Sequence, residues 1–294
     1  MIKIATFNVN SIKARLNNVI DWLQESQCDI ALLQELKCED GAFPEQELFD
    51  LGYNCAVFGQ KTYNGVAILS KYKIEDVVKT VPGFDKDIGI KTKAKKGGED
   101  DLFASEDNAP THQARYIEAV IPIKDQAVRV ASIYVPNGGG TLEPGQKLED
   151  SVKFQYKMDF FDALKVHMQQ CLKNNEMIVF GGDYNIAHSD IDVYDPKSLD
   201  GTVCFHDLER RKFRSLLNLG LIDSYRALHP HNQAFSWWDY RSGAWQYNKG
   251  MRIDYLLASP LAADKIISCN MMDKGVRDRE KASDHCPVIM ELDI

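Results

Sequence analysis

Residues 177–186 read MIVFGGDYNI. An apolar run leads into Gly181-Gly182, and Asp183 and Asn185 follow. A short apolar run of this kind suits a strand buried on both faces, and the glycine pair is expected to break it. A second stretch repeats the logic: DIALLQE (29–35) is apolar and ends on a carboxylate, Glu35. Two buried strands, each delivering an acid to a sheet edge and each accompanied by a helix, hint at a pseudo-symmetric pair of packed sheets.

Outward from these strands the pattern alternates. KIATFNV (3–9), GVAILS (65–70), YIEAVIPI (116–123) and VRVASIYVPNG (128–138) read as further strands. So do FSWWDY (235–240), RIDYLLAS (252–259) and PVIMELDI (287–294). Residues 11–26 place Ile12, Leu16, Val19, Ile20 and Leu23 at helical spacing, with Ser11 a candidate N-cap. Residues 152–174 make a long helix, and ERRKFRSLLNLG (209–220) a shorter one closed by Gly220. The ERRKFR segment has the periodicity of a solvated helix face, with a DNA contact the competing reading. Strands and helices are mixed without a long linker, so the expectation is one α/β domain over 1–294. Residues 85–113 are polar, charged and aperiodic, and read as a surface loop insert.

Bulk properties narrow the function. No apolar run approaches bilayer length, and MIKIATFNVN has no signal layout, so a cytoplasmic protein with no membrane partner is expected. The chain has 7 scattered cysteines and no C-x-x-C pair. That suits a reducing compartment and argues against a disulfide framework or structural zinc. A net charge of −8 argues against charge-driven nucleic-acid binding, although a metal-dependent nuclease gathers acids in its site.

Several chemistries can be set aside. KASDHCPV (281–288) places Ser283, Asp284 and His285 side by side, but consecutive residues cannot all face one reacting atom, and there is no G-x-S-x-G elbow. There is no H-E-x-x-H, and GTLEPGQK (140–147) departs from a P-loop at Gln146. What remains is a dispersed set at strand ends: Asn8, Asn10, Glu35, Tyr134, Asn137, Asp183, Asn185, Asp254, Asp284 and His285. Singly, most are explained as turn formers. Asp254 is not, because it lies among apolar residues in a strand, where a charge is costly unless paired or functional. Hard oxygen donors in this number suit Mg²⁺ or Mn²⁺ rather than zinc, and such an ion implies phosphate chemistry.

The stretches TFNVNSIKAR, LLQELK, GQKTYNGVAILSK, YVPNG, GGDYNI, FSWWDYR, GMRIDYLLAS and SDHCPV span nearly the whole chain. In their order and approximate spacing it resembles exonuclease III, the bacterial apurinic/apyrimidinic (AP) endonuclease branch of the endonuclease/exonuclease/phosphatase superfamily. FSWWDYR and RIDYLL are what separate this branch from the superfamily's lipid phosphatases. The resemblance implies a four-layer α/β sandwich, two packed mixed β-sheets flanked by helices. It implies a monomeric Mg²⁺-dependent enzyme, with Mn²⁺ substituting, that hydrolyses the phosphodiester 5′ to abasic sites in double-stranded DNA and has 3′→5′ exonuclease or 3′-phosphodiesterase activity on double-stranded DNA with blocked 3′ ends. The alternatives are a superfamily phosphatase on a lipid or small phosphoester, and a catalytically silent DNA-binding relative.

Roles follow from the same resemblance. Asn8 and Glu35 hold the metal, with Asp183, Asn185, Asp284 and His285 completing the metal region. Asp183 orients or deprotonates the attacking water, and Asn185 holds it and the developing oxyanion. His285 grips the phosphate, positioned by Asp254, and Tyr134 hydrogen-bonds a phosphate oxygen. Asn137 and Trp237 meet the substrate, Trp237 walling a pocket for the flipped-out sugar while Trp238 turns to the core. Met251 and Arg252 lie in a loop pressed into the duplex. Met251 stands where some relatives carry a large aromatic.

Overall fold

The computed structural model describes residues 1–84, 113–139, 142 and 145–294. Apart from Gln113, the expected insert at 85–113 lies outside them. The strands in chain order are β1 (Ile2–Asn8), β2 (Ile30–Gln34), β3 (Asn54–Phe58), β4 (Val66–Ser70) and β5 (Glu75–Lys79). They continue with β6 (Tyr116–Ile123), β7 (Gln126–Tyr134), β8 (Met177–Asp183), β9 (Ile222–Asp223) and β10 (Trp237–Trp238). The last are β11 (Gly250–Met251), β12 (Asp254–Ala258), β13 (Ile266–Met271) and β14 (Val288–Leu292).

Two 6-stranded sheets result, ordered β13-β14-β1-β2-β4-β3 and β5-β6-β7-β8-β12-β9. Each is built around one parallel pair, β1 with β2 and β7 with β8. The neighbours on either side are antiparallel. The repeat hinted at by the two acid-tipped strands is therefore a repeat of topology.

Side-chain alternation makes the layers. Ile2, Ile4, Ile30, Leu32, Val66 and Ile68 of the first sheet pack against Ile117, Ala119, Val128, Val130, Val179 and Leu256 of the second. The other face of the first sheet carries Ala5, Phe7, Ala31 and Leu33, and packs on Val19, Trp22 and Leu23 of the helix Leu16–Ser26. The outer face of the second carries Ala131, Ile133, Ile178 and Phe180, covered by the helices Val152–Cys171 and Asp207–Leu217. The order helix, sheet, sheet, helix is the four-layer sandwich. Among the described residues no helix is long and apolar enough to cross a membrane.

Two local expectations are corrected. Gly181 and Gly182 do not break β8, which runs on to Asp183. They are needed because other groups approach the strand closely. A Cβ at Gly181 would lie 2.5 Å from Leu32 Cδ1 of the facing sheet, and one at Gly182 would collide with the Ile133 carbonyl of β7. Ser11 is not the N-cap of the first helix, which starts at Leu16 after Arg15. The intervening chain is instead zipped onto the end of β2, with Val9 N donating to Gln34 O, Ser11 N to Glu35 O and Ile12 N to Leu36 O.

Candidate active site

The topology brings one end of each parallel pair to a common edge. β1 ends on Asn8, opposite Gln34, so Glu35 lies just beyond it. β7 ends on Tyr134 opposite Asp183 of β8, and Asp254 opens β12 on the other side of Asp183. Asn8 joins the two sheets: its Nδ2 donates to Glu35 Oε1 at 2.8 Å and to Asp183 Oδ2 at 2.9 Å. The backbone here is unusual. Asn10, Glu35, Lys37 and Asn185 all have left-handed φ, at 44°, 54°, 54° and 51°, a conformation that costs non-glycine residues energy and gathers at functional sites.

The SDH tripeptide arrives on this edge just before β14. Ser283 Oγ donates to the Asn8 carbonyl at 2.7 Å and accepts the His285 backbone N–H at 3.2 Å. Its hydroxyl is spent on the turn. His285 Nδ1 is 2.9 Å from Asp254 Oδ2, and its Nε2 faces Asp183 Oδ2 at 3.8 Å. An Nδ1–H donor to the carboxylate fixes the ring and aims Nε2 at the cluster. Asp254 Oδ1 is buried without a hydrogen-bond partner.

The electrostatics follow from burial and from charges of both signs. Burial raises the Asp183 carboxyl, and the Asp254 and Glu35 charges add to this against His285 and Asn8. Burial would lower the His285 imidazole, but the Asp254 and Asp183 charges prevail and hold it protonated well above neutrality. Glu35 is likewise pushed up by burial, yet the Lys37 ammonium at 2.9 Å and the Asn8 amide bring it below the usual range. Burial and the nearby Glu35 charge keep the Tyr134 hydroxyl neutral.

Asp284 points elsewhere. Its Oδ1 accepts from Asn10 Nδ2 at 2.9 Å and its Oδ2 from Trp237 Nε1 at 3.0 Å. It ties a half-buried indole to the rim, while Trp238 is buried. Asn185 N donates to Asp183 Oδ1 at 2.8 Å, and Asn137 Nδ2 to Asn185 Oδ1 at 3.0 Å. Glu35, Asp183 and His285 offer ligand atoms within 4.8 Å of one another. Asn8, Glu35, Tyr134, Asn137, Asp183, Asn185, Asp254 and His285 are thus brought together, with Asp284 and Trp237 beside them.

Met251 and Arg252 are not on a projecting loop. Arg252 is only 1% exposed. Its guanidinium bonds Asp192 at 2.8 and 3.1 Å and Asp223 at 2.8 Å. Met251 pairs with Trp237 across β11 and β10 and is buried with Val193, Phe205 and Ile253. A guanidinium that finds two carboxylates in the core has no reason to reach for a phosphate. In the ERRKFR segment, Arg210, Arg211 and Lys212 are paired with Asp190, Asp207 and Asp162, as on a solvated face. Two lysines join the site that no strand-end pattern marks. Lys37 pairs with Glu35, its only sequence signal being its place in LLQELK, and Lys157 lies behind the asparagines.

Comparison with known proteins gives a consistent pattern. The model of the Endonuclease/Exonuclease/phosphatase family matches residues 5–285. An exodeoxyribonuclease of Bacillus subtilis is 30% identical, with 100% of both chains covered. A solved AP endonuclease from Archaeoglobus fulgidus is 36% identical with a TM-score of 0.82, again covering 100% of each chain. The Neisseria 3′ phosphatase NExo, solved with a product DNA hairpin, is 34% identical with a TM-score of 0.84 and the same full coverage.

Proposed function

The chain belongs to the Endonuclease/Exonuclease/phosphatase family, and from that premise we propose a DNA-repair nuclease. It hydrolyses the phosphodiester 5′ to abasic sites in double-stranded DNA and clears blocked 3′ ends, with Mg²⁺ as cofactor and Mn²⁺ able to replace it. Full-length similarity to an exodeoxyribonuclease, an AP endonuclease and a 3′ phosphatase supports the substrate class. The observation that carries the chemistry is the meeting of half-buried Glu35 with buried Asp183 and His285 at the shared edge of two sheets.

The donor set fits a hard divalent cation. Glu35 and Asp183 present carboxylate oxygens, and their crowding with Asp254 raises Asp183, an energetic cost that a cation would relieve. These two acids, with Asn8 beside them, would hold the ion. Bound there, it supplies charge neutralisation at the attacked phosphate and eases ionisation of a water.

The chain's own groups do the rest. Asp183, fixed by Asn8 and the Asn185 N–H, takes the proton of the attacking water at its carboxylate. His285 turns its Nε2 into the cluster, where it donates to the phosphate oxygens. Asp254 fixes its ring and holds the proton on Nδ1. The Tyr134 hydroxyl and the Asn137 amide donate to oxygens that gain charge in the transition state, as does the Asn185 N–H that rests on Asp183 Oδ2 at 3.3 Å in the free protein, its other N–H being held by the Val135 carbonyl at 2.9 Å. Trp237, anchored through Asp284, walls the space for the baseless sugar.

The test is cleavage of an end-labelled duplex carrying one tetrahydrofuran abasic analogue, in Mg²⁺ and in EDTA, beside an undamaged control. The analogue cannot undergo β-elimination, so only hydrolysis cuts it. A single metal-dependent cut on the 5′ side is expected. An intact strand in both Mg²⁺ and Mn²⁺ refutes the proposal.

A further inference from the structure

We propose that Lys157 is a positioning residue for the reaction, holding the two phosphate-facing asparagines in register from behind. It rests on the assignment of Asn185 to the phosphate made above. Lys157 projects from the helix Val152–Cys171 and is fully buried. An ammonium has three donors and no acceptor. Here they meet Asn185 O at 2.7 Å, Asn137 O at 3.0 Å and Glu209 Oε1 at 2.5 Å. The first two carbonyls belong to the loops after β8 and after β7, the two loops that carry the asparagine amides.

Four details point to positioning rather than to packing. The amides touch each other at the front, Asn137 Nδ2 to Asn185 Oδ1 at 3.0 Å, so the lysine closes a ring around both loops. Asn185 holds a φ of 51°, which surrounding bonds must enforce. Gly138 sits at φ 80°, and a Cβ there would lie 2.8 Å from Lys157 Cδ, so the loop is drawn hard onto the lysine stem. Glu209 is itself fixed, its Oε2 accepting the His206 N–H at 3.0 Å at the start of the helix Asp207–Leu217. Apolar residues of similar volume would join these helices at least as stably as a buried ion pair. What they cannot do is tie two backbone carbonyls to one point.

Single-turnover cleavage of the tetrahydrofuran duplex at saturating Mg²⁺ separates the possibilities. The variants are Lys157→Met/Glu209→Met, Glu209→Gln, Asn185→Ala, and the apolar pair combined with Asn185→Ala. Folding is checked by circular dichroism and melting. The apolar pair should slow cleavage about 10- to 100-fold, the scale set by ångström misplacement of catalytic groups, with KM little changed. Glu209→Gln keeps the carbonyl bonds and should cleave like the parent. In the Asn185→Ala background the apolar pair should cost at least about threefold less than in the parent, because the part that passes through Asn185 is gone and only the part through Asn137 remains.

An equal loss in both backgrounds would make Lys157 merely structural and overturn the proposal. So would parental cleavage by the folded apolar pair. Parental cleavage by Asn185→Ala would remove the assignment beneath the proposal and the proposal with it. Lys157→Gln/Glu209→Gln, which keeps polar contacts without charge, runs through the same cycle if the apolar pair does not fold.

Discussion

Replacing Arg252 with methionine separates a core ion pair from a DNA contact. Arg252 bonds both oxygens of Asp192 and reaches Asp223, and its guanidinium stacks 4.5 Å from the Tyr255 ring centroid. Removing one member of a buried ion network costs about 3–5 kcal/mol, because the remaining charge is left in the core. The lower end applies here. Asp192 keeps Arg226 at 2.5 Å, and Asp223 keeps the Arg226 N–H at 3.1 Å. At roughly 2–4 °C per kcal/mol, a loss of about 3 kcal/mol lowers Tm by roughly 6–12 °C. Calorimetric melts measure this directly, and cleavage of abasic duplex at 20–25 °C, the folded range, gives KM. Arg252→Met should melt early and bind DNA as the parent does. An unchanged Tm with a several-fold higher KM would refute the burial argument and return Arg252 to the DNA interface.

The other perturbations are simpler. Asp254→Asn frees the His285 ring and removes the nearest charge that keeps it protonated, so single-turnover cleavage should fall about 100-fold; a rate within twofold of the parent would detach Asp254 from His285's role. Glu35→Ala should lose activity and recover part of it as Mg²⁺ is raised in a titration, whereas a loss indifferent to Mg²⁺ would assign Glu35 another task. His167→Gln tests a separate buried network, in which His167 Nε2 lies 2.8 Å from Glu118 Oε2. Burial would lower this imidazole, but the hydrogen bonds to Cys171 and Glu118 and the Glu118 charge raise it to about 9. A raised histidine stabilises below its unfolded value and loses that contribution as pH climbs through the folded value. The Tm gap between parent and His167→Gln should therefore be full below about pH 6.5 and close as pH passes about 9; a gap constant from pH 6 to pH 9.5 would mean that the ring is uncharged.

What could be read from the sequence depended on burial. β1, β2, β4 and β8 are almost wholly buried; β2, β4 and β8 begin as apolar runs, and β1 is one interrupted by Lys3 and Thr6. β3, β5 and β13 are edge strands with mostly half-exposed or exposed residues; NCAVF and EDVVK show no alternation, and in IISCNM it is confined to the short stretch from Ile267 to Met271. The acids at the site were legible because a carboxylate ending an apolar strand, or lying within one like Asp254, breaks the local pattern. Lys157 and Arg252 were not. Each is a basic residue whose partners lie far along the chain, Asn137 and Glu209 for one, Asp192 and Asp223 for the other. Only the fold shows that the charge is satisfied inside. The glycine pair misled for a related reason: its tight neighbours belong to other strands.

A chain of net charge −8 that acts on a polyanion must solve an electrostatic problem at its own site. Counterion release cannot recruit DNA to an acidic surface as it does to a basic one, and Glu35, Asp183 and Asp254 would repel a phosphate brought among them. His285 supplies one positive charge within the cluster, and the Lys37 ammonium is already committed to Glu35. One protonated ring does not balance three carboxylates, and the Asp254 and Glu35 charges add to the burial that pushes Asp183 up. Set against three carboxylates and one imidazolium, a divalent cation would bring the cluster to neutrality, relieving the acids and lifting their repulsion of the phosphate together. Metal dependence and exclusion of undocked phosphates are then one property of the same carboxylates. In the function proposed above, Trp237, held by Asp284 at the rim, would leave recognition to the shape of the lesion rather than to charge.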